Sequence, residues 1–294
     1  MWEWIKELFR MSIDKLLLLC GVVLVFFAFD PIRYQNEQWD FRLGSTPNWI
    51  LLLIGGGILV FFGWKNWPRR LESLSTKKID HGYMIRFDPN HAVSIVFGNI
   101  QDTPGGEHSA VVLPANRAFD DDCIRDDQSA LGSFFLKHFP TGISHLQDLI
   151  RNAAIQVSGQ TMESFTMAPP GTTILLSKPL GSQFVIMVTA VTTTDPEKRI
   201  TADTLSLVAS VREVFKTASQ NRISSLTMPV MGTGHGGLDF KAALFLLLVQ
   251  SMHCMQHEGS HHVRDVTIVV YDPDKQKQGA TAAVVQSFGN IARG

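Results

Sequence analysis

A glycine-rich segment near the end of the chain has the composition of a phosphate-binding loop. Residues 232–237 read GTGHGG and lie between a strand-like run, 224–231, and an apolar helix-like run that begins at Leu238. Glycines let backbone N–H groups approach a phosphate closely, and a following helix adds a positive dipole end and unsatisfied donors. Because such a loop neutralises anionic oxygens without Lys or Arg, we expect a ligand with a phosphate or diphosphate. The candidate contacts are Met231, Gly232, Thr233, Gly234, His235, Gly236 and Gly237.

Three of these glycines also satisfy G-x-G-x-x-G, a pattern typical of dinucleotide-binding Rossmann domains. In a Rossmann domain the motif opens the fold, and an acidic residue follows about 20 residues later at the end of the second strand. Here the motif lies close to the C-terminus, and the next strand ends at Tyr271 and Asp272. The context therefore disfavours a Rossmann domain.

Strand-like and helix-like segments alternate through most of the chain. Runs at 83–87 and 92–97 flank a turn triplet, Asp88-Pro89-Asn90, and predict a hairpin. Further strands are predicted at 109–113, 173–176, 184–191, 224–231 and 266–271, and helical spacing predicts helices around 143–153, 207–218 and 238–255. Helices inserted between buried strands predict an α/β sandwich with a mixed sheet.

Two other loops follow predicted strands, at 98–102 and 114–117. Ligands of open α/β sheets collect at the carboxyl ends of strands, so these loops are expected beside the glycine loop. Further on, Ser129 is a natural N-cap for a predicted helix whose N-terminal donors would face the same ligand. The candidate contacts added by these segments are Gly98, Asn99, Ile100, Asn116, Phe119, Asp120, Ser129 and Gly132.

Together the three loops resemble the macro domains, a family that binds ADP-ribose. The segment 98–100 is similar to the family's Gly-Asp-Ile element, 111–116 resembles its Val-Asn-Ala-Ala-Asn segment, and 229–237 resembles its second phosphate-binding loop. The resemblance covers roughly 83–272 and implies a macro-domain-like three-layer α/β/α sandwich. It also implies ADP-ribose or a derivative as ligand, with no cofactor, Asn116 at the distal ribose, and the backbone of 232–236 around the diphosphate.

Two positions depart from the family pattern. Asn99 stands where many members have an adenine-reading Asp, and 117–123 reads RAFDDDC where hydrolytic members have a glycine-rich loop. We therefore expect binding without catalysis and assign no catalytic residue. Asp120 and its two acidic neighbours are either a solvated loop or a partner for a cationic group of the ligand. Phe119 either stacks on a base or closes the core, and Asn116 has the alternative of capping a turn.

Two uncharged apolar runs, 16–29 and 50–62, lie near the start of the chain. Each is short for a bilayer, which needs ~20 residues, so a buried core helix or a signal peptide is the alternative. Aromatic residues flank both runs, which favours membrane helices, and 30–33 offers no small-residue cleavage site. We expect a transmembrane hairpin at 1–67, with helices at about 13–29 and 48–65, a connector at 68–80 and a macro-like domain at 81–294.

The distribution of charge predicts orientation and excludes some partners. Lys65, Arg69, Arg70, Lys77 and Lys78 follow the second apolar run, so both termini and the domain are expected on the cytoplasmic side of a bacterial inner membrane. The 26 basic and 27 acidic residues nearly balance, which argues against nucleic acid as the main partner. Histidines at 253 and 257 are spaced like a zinc pair but lack the Glu of an H-E-x-x-H site, so no metal is expected.

A macro domain behind two membrane helices resembles, in turn, the transmembrane macro effectors of Thoeris-type antiphage systems. That resemblance implies a TIR-domain partner enzyme that makes an ADP-ribose-derived messenger such as histidine-ADP-ribose. It further implies that the protein disrupts the membrane in response. Because coupling is typically about 1 to 3 kcal/mol per site, a sharp switch needs several subunits acting together, which predicts a homo-oligomer. The alternatives are a membrane-tethered ADP-ribosyl hydrolase and a passive reader of ADP-ribosylated proteins.

Overall fold

The computed structural model describes residues 33–36, 39–42, 74–120, 124–194, 199–257 and 262–293. The chain divides into two units, Met1–Arg70 and Leu71–Gly294. In the first unit, β1 (Arg33–Asn36) and β2 (Trp39–Arg42) form an antiparallel hairpin. The predicted membrane helices at 13–29 and 48–65 lie outside the described residues. Within the part of the chain that is described, no helix combines the length and apolarity needed to cross a bilayer.

The second unit is built on one mixed sheet. Its strands are β3 (Ser75–Ile79), β4 (Gly82–Asp88), β5 (His91–Phe97), β6 (Ser109–Asn116), β7 (Thr173–Ser177), β8 (Val185–Thr194), β9 (Ile200–Ala202), β10 (Ser225–Pro229) and β11 (Asp265–Val270). They are ordered β3-β4-β5-β11-β10-β6-β8-β7, with β9 paired to the end of β8. Five neighbouring strands, β5, β11, β10, β6 and β8, run parallel. The other four, β3, β4, β7 and β9, are antiparallel to their neighbours. The predicted mixed sheet is confirmed.

Helices cover both faces of this sheet. They are α1 (Ala130–His138), α2 (Ile143–Ser158), α3 (Thr204–Gln220), α4 (Phe240–His257) and α5 (Gln278–Arg293). The domain has two hydrophobic cores, one on each face of the sheet, and side chains along β6 enter them alternately. Val112 packs with α3, α4 and α5, whereas Val111 and Leu113 pack with α1 and α2. A strand buried on both faces reads as a continuous apolar run, which explains the sequence of β8.

Three elements differ from the sequence expectation. β3 lies inside the predicted connector 68–80, so the sheet begins at Ser75 rather than after residue 81. This edge strand is almost wholly exposed and carries Lys77 and Lys78, as edge strands that resist aggregation often do. It therefore has no apolar alternation to reveal it. β9 and α5 were also not predicted, although Val284, Val285 and Phe288 form a buried stripe on α5.

A cleft opens where β6 and β10 separate. Their pairing ends at Val111 and Thr227, while β6 continues to Asn116 alongside β8. β6 leads to α1 and α2 on one face of the sheet, and β10 leads to α4 on the other. The connections that follow β6 and β10 therefore leave the sheet towards opposite faces. Such a point is a topological switch point, where open α/β sheets place their ligands.

Candidate functional site

A cleft of about 530 Å³ lies across the carboxyl ends of the five parallel strands. Residues at the ends of β5, β11, β10, β6 and β8 line it in that order across the sheet. Because neighbouring strands lie ~4.8 Å apart, four spacings give a span of ~19 Å. An elongated ligand therefore fits across the sheet.

The glycine loop, residues 230–237, forms one wall. Gly232 and Gly237 adopt positive φ values of 80° and 70°, which favour glycine. The loop closes on itself through Leu238 N–H to the Gly232 carbonyl at 3.0 Å and Gly237 N–H to the Gly234 carbonyl at 3.1 Å. Within the described residues, the backbone N–H groups of the four residues between these glycines have no protein acceptor. These four residues line the cleft, so their N–H groups are the donors available to an anion.

Packing behind the loop fixes its position against β8 and β9. A Cβ added at Gly236 would lie 2.7 Å from the Gly232 carbonyl oxygen and 2.8 Å from the Ala202 Cβ. The Gly236 carbonyl accepts a hydrogen bond of 2.9 Å from Ala202 N–H. Any side chain at this position would push the loop away from the sheet.

The start of α1 forms the facing wall. Ser129 is its N-cap, as predicted, and the Ser129 Oγ accepts a hydrogen bond of 2.8 Å from Gly132 N–H. Asp126, Asp127 and Gln128, just before the cap, line the cleft with Ser129. Gly132 faces the backbone of this turn, because an added Cβ would lie 2.0 Å from the Asp126 carbonyl oxygen. A helix N-terminus and the glycine loop thus face each other across the cleft.

The β5 and β11 end of the cleft has a different chemistry. Phe240 and Tyr271 line it, and Tyr271 is 61% exposed. Lys277 places its Nζ 5.6 Å from the centre of the Phe240 ring and donates to the Tyr271 carbonyl at 2.8 Å. The two aromatic rings suit a flat aromatic group.

An ion pair fixes the loop after β5 to α1. Lys137 donates to Asp102, and that hydrogen bond is the main reason why the pKa of Asp102 is lowered from its ordinary value. His138 Nε2 lies 2.8 Å from the Gln101 carbonyl oxygen. The loop that carries Asn99 is therefore held in place beside the cleft.

Eight of the predicted contacts line the cleft: Asn99, Ile100, Ser129, Gly232, Thr233, Gly234, His235 and Gly236. The other seven do not line it: Gly98, Asn116, Phe119, Asp120, Gly132, Met231 and Gly237. Gly132 and Gly237 instead shape the two walls from behind.

Three of these seven residues lie at the end of β6 or just after it. Asn116 is 2% exposed, and its amide nitrogen donates to the Asp120 carboxylate at 2.8 Å. Phe119 has a φ of 47° and is 1% exposed, because this left-handed turn directs its ring into the core beneath α1 and α2. Met231 is fully buried in the other core. Asp121 and Asp122 lie outside the described residues.

Sequence reasoning missed Asp126, Asp127, Gln128, Phe240, Tyr271 and Lys277 as cleft residues. The first three immediately precede the N-cap Ser129, so the cap itself was the available signal. The last three come together only because β11 lies between β5 and β10, which no local pattern indicates.

No group of three or more metal-ligating side chains occurs in the described ranges.

The family model for the macro domain of the Thoeris protein ThsA matches residues 93–271, more than half of the chain. The chain belongs to the ThsA macro domain family. Among curated proteins, none matches the sequence.

The macro domain fold is also found among solved structures. The Oceanobacillus iheyensis macrodomain with MES bound shares 16% identity and a TM-score of 0.51, over 74% of this chain and 97% of that one. The same macrodomain with ADP gives 16% identity and a TM-score of 0.50, with the same coverage of both chains. The predicted macro-like α/β fold is therefore confirmed.

Proposed function

We propose that this macro domain protein is a sensor that binds an ADP-ribose-derived nucleotide in the cleft. One observation carries the proposal: residues 233–236, whose backbone N–H groups have no acceptor within the described residues, line a cleft that spans five strands, opposite a helix N-terminus. Two anion-binding elements on opposite walls suit a diphosphate. The aromatic end formed by Phe240 and Tyr271 suits the base.

The ThsA family and a related macrodomain with ADP bound support a nucleotide ligand. In this proposal the base lies at the β5 and β11 end, the diphosphate lies between the glycine loop and α1, and the distal ribose lies towards β8. The ~19 Å span of four strand spacings matches a nucleoside diphosphate that carries a second sugar.

The protein acts in this proposal as an effector rather than an enzyme. Both ends of the Asn116 side-chain amide contact Asp120, at 2.8 and 3.5 Å, so this amide is already engaged within the protein. The segment 117–123 also lacks the glycines of hydrolytic macro domains. This arrangement supports ligand binding without turnover.

The proposed response takes place at the bacterial inner membrane. The apolar runs 16–29 and 50–62, with their flanking tryptophans, would anchor the chain with both termini and the macro domain in the cytoplasm. A TIR-domain enzyme would supply the messenger, such as histidine-ADP-ribose, and the protein would oligomerise and disrupt the bilayer. Because coupling between sites is typically about 1–3 kcal/mol, several subunits acting together would give a sharp response.

Calorimetry on the full-length protein in detergent tests ligand binding. We expect ADP-ribose and ADP to bind, and AMP to bind at least about tenfold more weakly because it lacks the second phosphate that the two walls share. Gly236→Ala should weaken ADP-ribose binding, whereas Gly234→Ala, at a position with open space, serves as the matched control. Absence of binding to both ADP-ribose and ADP would refute the proposal.

Coexpression with a messenger-producing TIR-domain enzyme tests the response. We expect membrane depolarisation only when both proteins are present, and no depolarisation with Gly236→Ala. Binding without depolarisation would instead indicate a passive reader. Release of ADP-ribose from a modified protein by the purified chain would indicate a hydrolase.

A further inference from the structure

An imidazole and a carboxylate meet across the two walls of the cleft. His235 Nδ1 lies 3.5 Å from Asp126 Oδ2, and both residues line the cleft. His235 belongs to the glycine loop, whereas Asp126 precedes α1. Their side chains are 49% and 30% exposed, so a ligand in the cleft can reach the pair.

The surroundings of Asp126 hold its carboxylate towards His235. Asp126 Oδ1 accepts a hydrogen bond of 2.9 Å from Gln128 N–H. The Asp126 main-chain oxygen accepts from Ser129 N–H at 3.0 Å and from Ser129 Oγ at 2.9 Å. The missing side chain of Gly132 lets this carbonyl pack against α1. Asp126 Oδ2 is the oxygen that remains directed at the imidazole.

The position of His235 in its loop locates the pair within the cleft. The next residue, Gly236, packs against Ala202 and Thr192, at the β9 and β8 end of the sheet. On the other side, Gly234 has open space around its Cα. The pair therefore crosses the cleft near β8, beside the loop N–H groups proposed to bind the diphosphate.

A bare carboxylate at this place would repel a diphosphate, because like charges interact unfavourably over a few ångströms. An imidazole beside Asp126 offsets part of that repulsion whenever both of its ring nitrogens carry a proton. We propose that His235 and Asp126 form a bridge that ties the glycine loop to α1 and masks the Asp126 carboxylate from an anionic ligand. This inference rests on the proposed function, since the masking matters only for a phosphate-bearing ligand.

The two halves of the bridge then respond unequally to mutation. His235→Gln leaves the carboxylate unmasked, and we expect it to weaken ADP binding by about two- to fivefold, the range that exposed ion pairs show. Asp126→Asn loses the bridge but also the repulsive charge, so its affinity for ADP should stay within about twofold of wild type. The double variant should lose less affinity than His235→Gln alone. A purely structural role would make both single variants weaker.

Calorimetry with ADP on the four full-length proteins in detergent measures this coupling. Asp127→Asn, combined with wild-type and His235→Gln backgrounds, is the matched control, because it removes the same charge from the same turn without touching the bridge. We expect coupling of His235 with Asp126 and none with Asp127. Equal losses in both single variants, or equal coupling to Asp126 and Asp127, would overturn the masking.

Hydrogen exchange on the ligand-free protein tests separately whether the bridge holds the glycine loop to α1. Amides of 232–237 should exchange faster in Asp126→Asn than in Asp127→Asn. Equal exchange in the two variants would show that the bridge does not hold the loop, and would overturn the inference. If wild type bound neither ADP nor ADP-ribose, the proposed function and the masking would both fail, and the exchange result would still decide whether the bridge exists.

Discussion

The two walls of the cleft are built in different ways. Ten residues, 230–239, join β10 to α4, and four of the six residues at 232–237 are glycine. The 13-residue segment between β6 and α1 is charged, and of its described residues only the last four, 126–129, line the cleft. One wall presents its own backbone, whereas the other presents the end of a helix that distant contacts position.

The two walls therefore depend on different features of the chain. Gly232 and Gly237 set the shape of their loop through their own left-handed conformations. The facing wall depends on Gly132, which lies in the first turn of α1 and lets the Asp126 carbonyl pack against the helix. We therefore expect substitutions in the first wall to affect binding most, and those in the second to affect folding as well.

The largest effect is expected for Gly132→Ala. The added Cβ would lie 2.0 Å from the Asp126 carbonyl oxygen, which is backbone and cannot rotate away. Overpacking of this kind costs about 1–3 kcal/mol, so we expect the free energy of unfolding to fall by about 3 kcal/mol. ADP-ribose affinity should fall too, because the turn at 126–129 moves. Urea denaturation and calorimetry measure the two effects.

Gly279→Ala is the matched control for that variant. Gly279 also lies in the first turn of a helix, α5, but an added Cβ would meet nothing within 4 Å. Since Ala is the better helix former, this substitution should raise stability by less than about 1 kcal/mol. Similar losses for the two variants would show that crowding at Asp126 is not the cause.

The sequence could predict those parts of the fold and the site that depend on local residue chemistry. The glycine loop and the Ser129 cap depend on local chemistry, and both were found from residue type and spacing. The alternation of β4, β5, β8 and β11 with helices predicted the mixed sheet. Burial on both faces makes such strands conspicuous, whereas the exposed edge strand β3 was interpreted as part of a connector.

The direction of side chains after β6 could not be predicted in this way. The register with β8 shifts between Ala115 and Asn116, and Phe119 then adopts a left-handed conformation. A shift by one residue reverses which face a side chain joins, so the ring enters the core and the Asn116 amide turns to Asp120. These choices depend on packing against β8 and α1 rather than on the local sequence.

Gly236→Ala tests the first wall and should have the next largest effect. Its Cβ would lie 2.7 Å from the Gly232 carbonyl oxygen and 2.8 Å from the Ala202 Cβ, so the loop must move away from the sheet. We expect about a tenfold loss of ADP-ribose affinity, equivalent to ~1.4 kcal/mol. Gly234→Ala, with no atom near its Cβ, should stay within about twofold. Equal losses for the two variants would contradict the packing account.

The caps of α1 and α4 allow the walls to be compared directly. Ser129 Oγ accepts from Gly132 N–H at 2.8 Å, and Asp239 Oδ1 accepts from Ala242 N–H at 2.9 Å. Losing an N-cap costs about 1 kcal/mol, so Ser129→Ala and Asp239→Ala should lower thermal stability similarly. Only Ser129 lines the cleft, and only its loss should weaken ADP-ribose binding. A similar loss of binding in Asp239→Ala would mean that affinity follows overall stability.

The smallest effect is expected at the ion pair that fixes the loop after β5. The hydrogen bond from Lys137 lowers the pKa of Asp102 from its ordinary value of 3.8. Because the folded pKa is the lower one, the pair stabilises the fold above pH 3.8, and this contribution is lost as pH falls through the folded pKa. Wild type should therefore exceed Asp102→Asn in stability at pH 6, with the difference shrinking in acid. Both side chains are exposed, so high salt should also reduce the difference. A difference that stayed constant from neutral to acid pH would show that Asp102 acts through its shape rather than its charge.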